Sequence, residues 1–294
     1  MRLLSVFFIL AEMAIAQSSF HSGNIEESLS KVLTRTDIYS KKIKRILIDE
    51  AIKSDNNRIH KTGRQFILQY DTKGLPVWMA ELTSPNVTDT ILTTWYRTRD
   101  STLLVKRKFE RGRFESTYIR YDSLHRPSRY VNCSETGEGD NPRYFKPMNQ
   151  YVHALETMEY ELTIEGHVKK KFKNDNGVLY KEGFEYFRNG KPFSEEYFFV
   201  ATGMRVRINY RYDEQGHLAE RQYYTDATGE YTETTEFKYE KGQLSKERLF
   251  RNTVPLLERF YFYRSADSLP ESILSRNTSS YDIYFLNLRY EFYP

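Results

Sequence analysis

The side chains able to ligate a metal or attack an electrophile are few in this chain. Six histidines stand at His21, His60, His125, His153, His167 and His217, and one cysteine at Cys133. No two histidines fall in an H-x-H or H-x-x-x-H arrangement, the spacings that set two imidazoles on one face of a strand or helix, so no zinc site is expected. His167 and His217 each follow a turn glycine and read as solvated polar turn residues. Cys133 lies between Asn132 and Ser134 with no histidine beside it, the setting of a buried structural thiol rather than a nucleophile. There is no G-x-S-x-G elbow, no phosphate-cradling glycine loop and no G-x-G-x-x-G fingerprint. The adjacent carboxylates Glu195 and Glu196 would point to opposite faces of a strand and so do not form a local acid-base pair. No catalytic, cofactor-binding or metal-ligating residue is therefore assigned, no cofactor is expected, and the chain reads as non-enzymatic. A hydrolase whose carboxylates converge from distant strands is the alternative.

The elements that would carry any such residues are strands. Gly177, Gly190, Gly203, Gly216, Gly229 and Gly242 follow one another at a constant step of 13 residues, the mark of an internal repeat. Glycine suits tight turns because it takes positive φ without the cost of a Cβ, about 1 kcal/mol or more for other residues. The residues before these glycines read NDNG, FRNG, ATG, DEQG, DATG and EKG, so each unit is one strand plus one turn. Between turns the chain alternates. Met204 to Tyr212 puts Met204, Val206, Ile208, Tyr210 and Tyr212 on one face, and Arg205, Arg207, Asn209 and Arg211 on the other. Glu230 to Tyr239 repeats the design, with Tyr231, Phe237 and Tyr239 against Glu230, Glu236 and Lys238.

The same grammar runs less regularly through Tyr70 to Pro76, Phe109 to Arg113, Tyr121 to Pro127 and Tyr263 to Pro270, although the units at His125 and Ser268 lack glycine. The fold class is mainly β, a long antiparallel β-hairpin meander, curled or solenoid-like, with a small N-terminal helical segment. The 13-residue unit sets strand length and turn position and leaves open whether the sheet stays open, spirals or closes. The expected divisions are residues 1–16 as a signal peptide, 17–60 as a helical cap over a sheet edge, 61–133 as a first hairpin array, 134–157 as an irregular loop or short helix, and 158–294 as the second array. Within the cap, Ile25, Leu29, Val32 and Leu33, and then Ile43, Ile46, Leu47 and Ala51, recur at helical steps. Met148 to Glu159 is the other place where a helical period is legible.

Arg2, the apolar run from Leu3 to Leu10 and Ala14-Ile15-Ala16 form a secretory signal pattern with a cut after Ala16. Gln17, rather than cysteine, then stands at the cut, so no lipid anchor is expected. A single cysteine excludes an intramolecular disulfide and suits a bacterial periplasmic, outer-membrane-associated or secreted protein. Forty-four basic and 40 acidic residues are interspersed, giving a net charge of +4 and a solvated surface rather than a nucleic-acid footprint. Lys169, Lys170 and Lys171 form the longest basic run and read as a solvated sheet edge. No integral membrane segment is expected after signal cleavage, and the oligomeric state is open. The aromatic share of 15%, with 24 tyrosines and 19 phenylalanines, fits pleated half-buried surfaces.

Tyr212-Asp213-Glu214-Gln215-Gly216-His217-Leu218 resembles the YD-x-x-G-x-L core of YD repeats from RHS-type bacterial proteins. Gly183 to Phe198 resembles the variant MORN repeat. Both families are hairpin arrays of the bacterial envelope, and the resemblance is best over Phe172 to Phe250. It implies a repeat scaffold and brings no catalytic residue with it. The expected function is thus a non-enzymatic exported scaffold that binds protein or glycan at the bacterial cell surface. Besides the hydrolase, an outer-membrane β-barrel is a further alternative, and it requires a continuous lipid-facing apolar band.

Overall fold

A computed structural model of the chain describes residues 25–54, 58–82, 90–98, 100–110, 112–139, 144–226, 233–280 and 282–294. The signal segment 1–16 and Gly229 lie outside the described residues. Two short helices come first, α1 (Ile25–Ser30) and α2 (Arg35–Ser40), followed by β1 (Ile43–Lys53), β2 (His60–Tyr70), β3 (Pro76–Leu82), β4 (Thr90–Arg97), β5 (Leu103–Glu110) and β6 (Arg113–Tyr121). The chain continues through β7 (Pro127–Glu138), β8 (Lys146–Leu162), β9 (Val168–Lys173), β10 (Leu179–Arg188), β11 (Lys191–Phe199) and β12 (Arg205–Tyr212). It ends in β13 (Leu218–Thr225), β14 (Glu233–Glu240), β15 (Gln243–Arg251), β16 (Val254–Tyr263), β17 (Pro270–Asn277) and β18 (Ile283–Phe292).

Each strand runs antiparallel to the next, and β1 also pairs with β18, Ile43 against Phe292 through Lys53 against Ile283. The meander is therefore a closed 18-stranded barrel rather than an open or solenoid-like sheet. Closure satisfies both edges, so the helices have no sheet edge to cap.

Two segments expected to be helical or irregular are strands. IKRILIDEAIK carries a three-to-four step, but Ile46, Ile48, Glu50 and Ile52 also alternate with Leu47, Asp49 and Ala51. Hydrogen-bonded neighbours on both sides, β18 and β2, decide for the alternation. Likewise, within 134–157, residues up to Glu138 belong to β7 and those from Lys146 to β8, the longest paired strands among the described residues, with bulges at Asn132/Cys133 and Thr136/Gly137 that break their period. The second helix is instead 35–40, opened by a capping box between Thr34 and Asp37.

The turns follow the expected grammar. Gly177, Gly190, Gly203, Gly216 and Gly242 all take positive φ. In the units without glycine, His125 and Ser268 take the left-handed conformation themselves, at φ 58° and 57°. Asp71, Asp122, Asn174 and Asp213 start their turns alike, each side chain accepting a backbone N–H four residues on.

Side chains of directly opposed residues share a face, so the register sorts the wall into two sides. From Ile46, the row runs through Leu68, Met79, Thr93, Lys108 and Glu115. On the same side, α1 meets Lys106 of β5 through Glu26 at 3.0 Å, and Lys31 just after it meets Glu247 of β15 at 2.8 Å. These strands are eight apart around the barrel, and one six-residue helix reaches both only from the lumen.

The buried core is eccentric. Ile25, Leu29, Leu33 and Ile38 pack on Ile46, Ile48, Phe66, Leu68, Tyr261, Ile273 and Leu288, so the helices fasten the β18–β1 seam from within. An 18-stranded wall is too wide for its own side chains to fill; the helices occupy one sector and leave the wall from β8 to β14 facing the remaining space.

Candidate binding site in the barrel lumen

The lumenal face of β8 to β14 is a row of ionisable and aromatic side chains, half-buried for the most part. Glu195 of β11 accepts hydrogen bonds from the hydroxyls of Tyr197 and Tyr210, both at 2.8 Å. Burial, and then the Glu195 carboxylate, drive both phenol pKa values upward, so both phenols remain donors. Gly183, opposite Tyr197, gives the ring its place, because a Cβ there would stand 2.9 Å from Tyr197 Cε1.

The neighbouring cations are mostly engaged. Lys170 pairs with Glu185. The Lys181 ammonium lies 4.1 Å from the Phe172 ring centre, with Tyr180, Tyr197 and Phe199 within 6 Å. Arg251 holds Glu233 at 2.7 Å. Beside them Ile208, Arg221, Tyr223, Glu233 and Thr235 line a cavity of about 170 Å³. Register places all five on the lumenal face, Glu195–Ile208–Tyr223–Glu233 in one row and Tyr210–Arg221–Thr235 in the next.

The helical side of the lumen is organised around Glu247. Its carboxylate accepts from Lys31 at 2.8 Å and from Tyr261 at 2.8 Å, with Arg259 at 3.4 Å. Burial alone would raise its pKa, but Arg259 and Lys31 outweigh burial and hold it below the usual carboxylate range. Glu50 fares differently: burial dominates, the Arg64 guanidinium stays 3.8 Å away, and its pKa is raised.

The outer face differs between the two halves. From β8 to β16 it is a lattice of cross-strand ion pairs: Glu161–Lys171, Lys169–Glu182, Glu196–Arg207, Arg211–Glu220, Glu236–Arg248 and Lys246–Glu258, all between 2.5 and 2.8 Å. Across β1 to β6 an apolar row runs Leu47, Ile67, Ala80, Leu92, Phe109 and Phe114. It ends under Phe145, which stacks on Phe114 at 3.7 Å from the tip of the β7–β8 hairpin. The hairpin also buries a polar cluster. Arg107 Nε donates to Glu135 at 2.7 Å and to Ser116 at 3.1 Å, and the Ser116 and Tyr118 hydroxyls donate to the same carboxylate. Burial and then Glu135 push the Tyr118 phenol up to about 12. Every member is satisfied, which is the pattern of a structural network.

Residues singled out from sequence fall as follows. Glu195 and Glu196 do face opposite sides, Glu195 to the lumen and Glu196 to Arg207 outside. Cys133 is 1% exposed, and burial raises its thiol pKa to about 11. Lys169, Lys170 and Lys171 sit in an interior strand rather than at an edge, each paired with a glutamate, Lys170 inward and the others outward. His167 and His217 are more than solvated turn residues: His167 packs edge-on to Tyr186, and His217 stacks on Tyr239 at 4.6 Å while meeting Asp213.

The nearest approach to a hydrolytic constellation is Glu115, Ser134 and His153. There the serine hydroxyl is 2.7 Å from Glu115, and His153 Nε2 accepts the Ser134 backbone N–H at 3.1 Å. Among the described residues no carboxylate orients the other imidazole nitrogen, as a triad needs. No group of three or more His, Cys, Asp or Glu side chains suited to a metal occurs among the described residues, and no described helix is long and apolar enough to cross a membrane. Arg221, Tyr223 and the Tyr197–Glu195–Tyr210 bridge had no motif to announce them; strand alternation gave the shared face of Ile208 and Tyr210, and register supplied the rest.

No protein family and no curated protein matches the chain. Among solved structures, a porin-like protein from Bacteroides uniformis is 10% identical over 85% of this chain and 98% of that one, with a TM-score of 0.30. A porin-like protein from Bacteroides vulgatus is 10% identical over 83% and 97%, TM-score 0.34. A LolA superfamily protein from Nitrosomonas europaea is 8% identical over 87% and 92%, TM-score 0.18. Overlaps this loose carry no argument about what the present chain does.

Proposed function

We propose that the protein is a non-enzymatic, exported glycan-binding barrel of the bacterial envelope, in which the lumenal wall of β8 to β14 receives the ligand. The observation that carries this reading is the Tyr197–Glu195–Tyr210 bridge beside an open cavity. It fixes a carboxylate acceptor among large amphipathic rings, the combination that suits a polyhydroxylated ring with apolar faces. The YD-like and MORN-like units serve here to build wall and turns. Export rests on the signal pattern of residues 1–16.

A second reading, an outer-membrane barrel, draws on the closure of the sheet and on the apolar row across β1 to β6. Against it stand the ion pairs of β8 to β16, because a charge facing lipid costs about 2–4 kcal/mol at mid-depth. Purifying the full chain without detergent and titrating it calorimetrically with neutral and acidic oligosaccharides separates the two. Monodisperse protein that binds an oligosaccharide of the panel, several-fold more weakly after Tyr210→Phe, is expected. A chain that stays dispersed only in micelles, or binds no member of a broad panel of neutral and acidic sugars, overturns the glycan-binding reading.

A further inference from the structure

The cations facing the lumen differ in their partners. Lys31, Arg64, Lys106, Lys170, Arg251 and Arg259 each meet a carboxylate, and Lys181 lies against aromatic rings. Arg221 is exposed and, among the described residues, makes no ion pair. Its closest cross-strand companions are Tyr210 and Thr235, and the cavity it borders has Glu233 already neutralised by Arg251.

We propose that Arg221 recognises the carboxylate of an acidic monosaccharide unit, seated in the cavity formed with Ile208, Tyr223, Glu233 and Thr235. The proposal rests on the glycan-binding reading and narrows it to a class of sugar. A guanidinium presents two parallel N–H donors that match a carboxylate, and one without an internal partner needs no bond broken to receive it.

The rest of the wall selects against a simple anion. Glu233, paired with Arg251, lines the cavity beside Arg221, so a small polyanion such as phosphate finds a single unpaired cation with a carboxylate close by. A sugar acid carries one negative group for Arg221 and hydroxyls that donate hydrogen bonds to Glu233 and Thr235, while Tyr223 and Ile208 offer surface to the ring.

The test is calorimetric titration of the detergent-free full chain with D-glucuronate, D-glucose and inorganic phosphate, repeated for Arg221→Gln and Arg221→Lys. Because Arg221 is exposed, both variants should melt with the parent. Glucuronate is expected to bind the parent, to weaken about tenfold or more in R221Q and less in R221K, and glucose to be indifferent to either change. Glucuronate affinity within threefold of the parent in R221Q overturns the proposal. So does phosphate binding as well as glucuronate, which would make Arg221 a general anion contact. Neutral oligosaccharides that bind while glucuronate does no better than glucose refute the acidic-sugar assignment and leave the lumenal reading standing; binding of no sugar at all refutes both.

Discussion

Replacing Glu247 by glutamine should unfasten the helices from the barrel seam. The Glu247 side chain is only 6% exposed, and it is the common acceptor for Lys31, Arg259 and Tyr261, which join the N-terminal segment to β15 and β16. Glutamine keeps the shape and an oxygen for Tyr261 but removes the charge. That leaves two largely shielded cations, Lys31 and Arg259, with side-chain exposures of 18% and 12%. Breaking a buried pair from one side costs about 3–5 kcal/mol. The lower end applies, because Lys31 keeps Glu27 at 3.1 Å. A loss of about 3 kcal/mol lowers the melting temperature by about 6 °C for a chain of this size, at about 2 °C per kcal/mol.

The pH dependence has a definite sign. Glu247 has a folded pKa below its unfolded value of about 4.3, so its contribution is fully present above that value and lost as pH falls through the folded one. Melting of parent and E247Q, followed by circular dichroism, should differ by about 6 °C at pH 7, and the gap should close only below about pH 4. A difference under 2 °C at pH 7, or one that widens on acidification, would refute the argument that Glu247 holds the N-terminal segment as an anion.

Two further outcomes follow from side chains already described. Cys133, buried and with its thiol pKa near 11, should resist a thiol-reactive disulfide reagent at pH 8 in the native protein and react fully once guanidinium unfolds it; rapid native labelling would contradict its burial. Ser268→Gly and His125→Gly should each leave stability unchanged or raise it by up to about 1 kcal/mol, since both residues occupy left-handed turn positions. A loss beyond about 1 kcal/mol in urea denaturation would show that these side chains, rather than their backbone angles, hold the turns.

Much of the wall was legible in the residues. The described glycines of the ladder, Gly177, Gly190, Gly203, Gly216 and Gly242, take positive φ, and the faces of Met204 to Tyr212 separate as alternation requires, Val206, Ile208 and Tyr210 inward and Arg207 and Arg211 outward. The binding site was less so, because Arg221 and Glu195 look like any other charges on a polar strand. What sets them apart is which side chains lie across the ladder, and that depends on bulges such as the one between Arg211 and Tyr212.

Most turn positions, and the alternation of the strands between them, follow from the residue pattern alone, since they depend on residues within a few positions of one another. Tertiary structure alone decided that the sheet closes, that Ile43–Lys53 is a strand and not a helix, and that the helices lie inside. All three hang on one pairing, β1 with β18, between segments some 240 residues apart, as Asp49 and Arg289 show. Local propensity carries no information about a partner so distant. Aromatic and charged residues stand on both faces of these strands, so hydrophobicity does not say which face is the lumen; closure does.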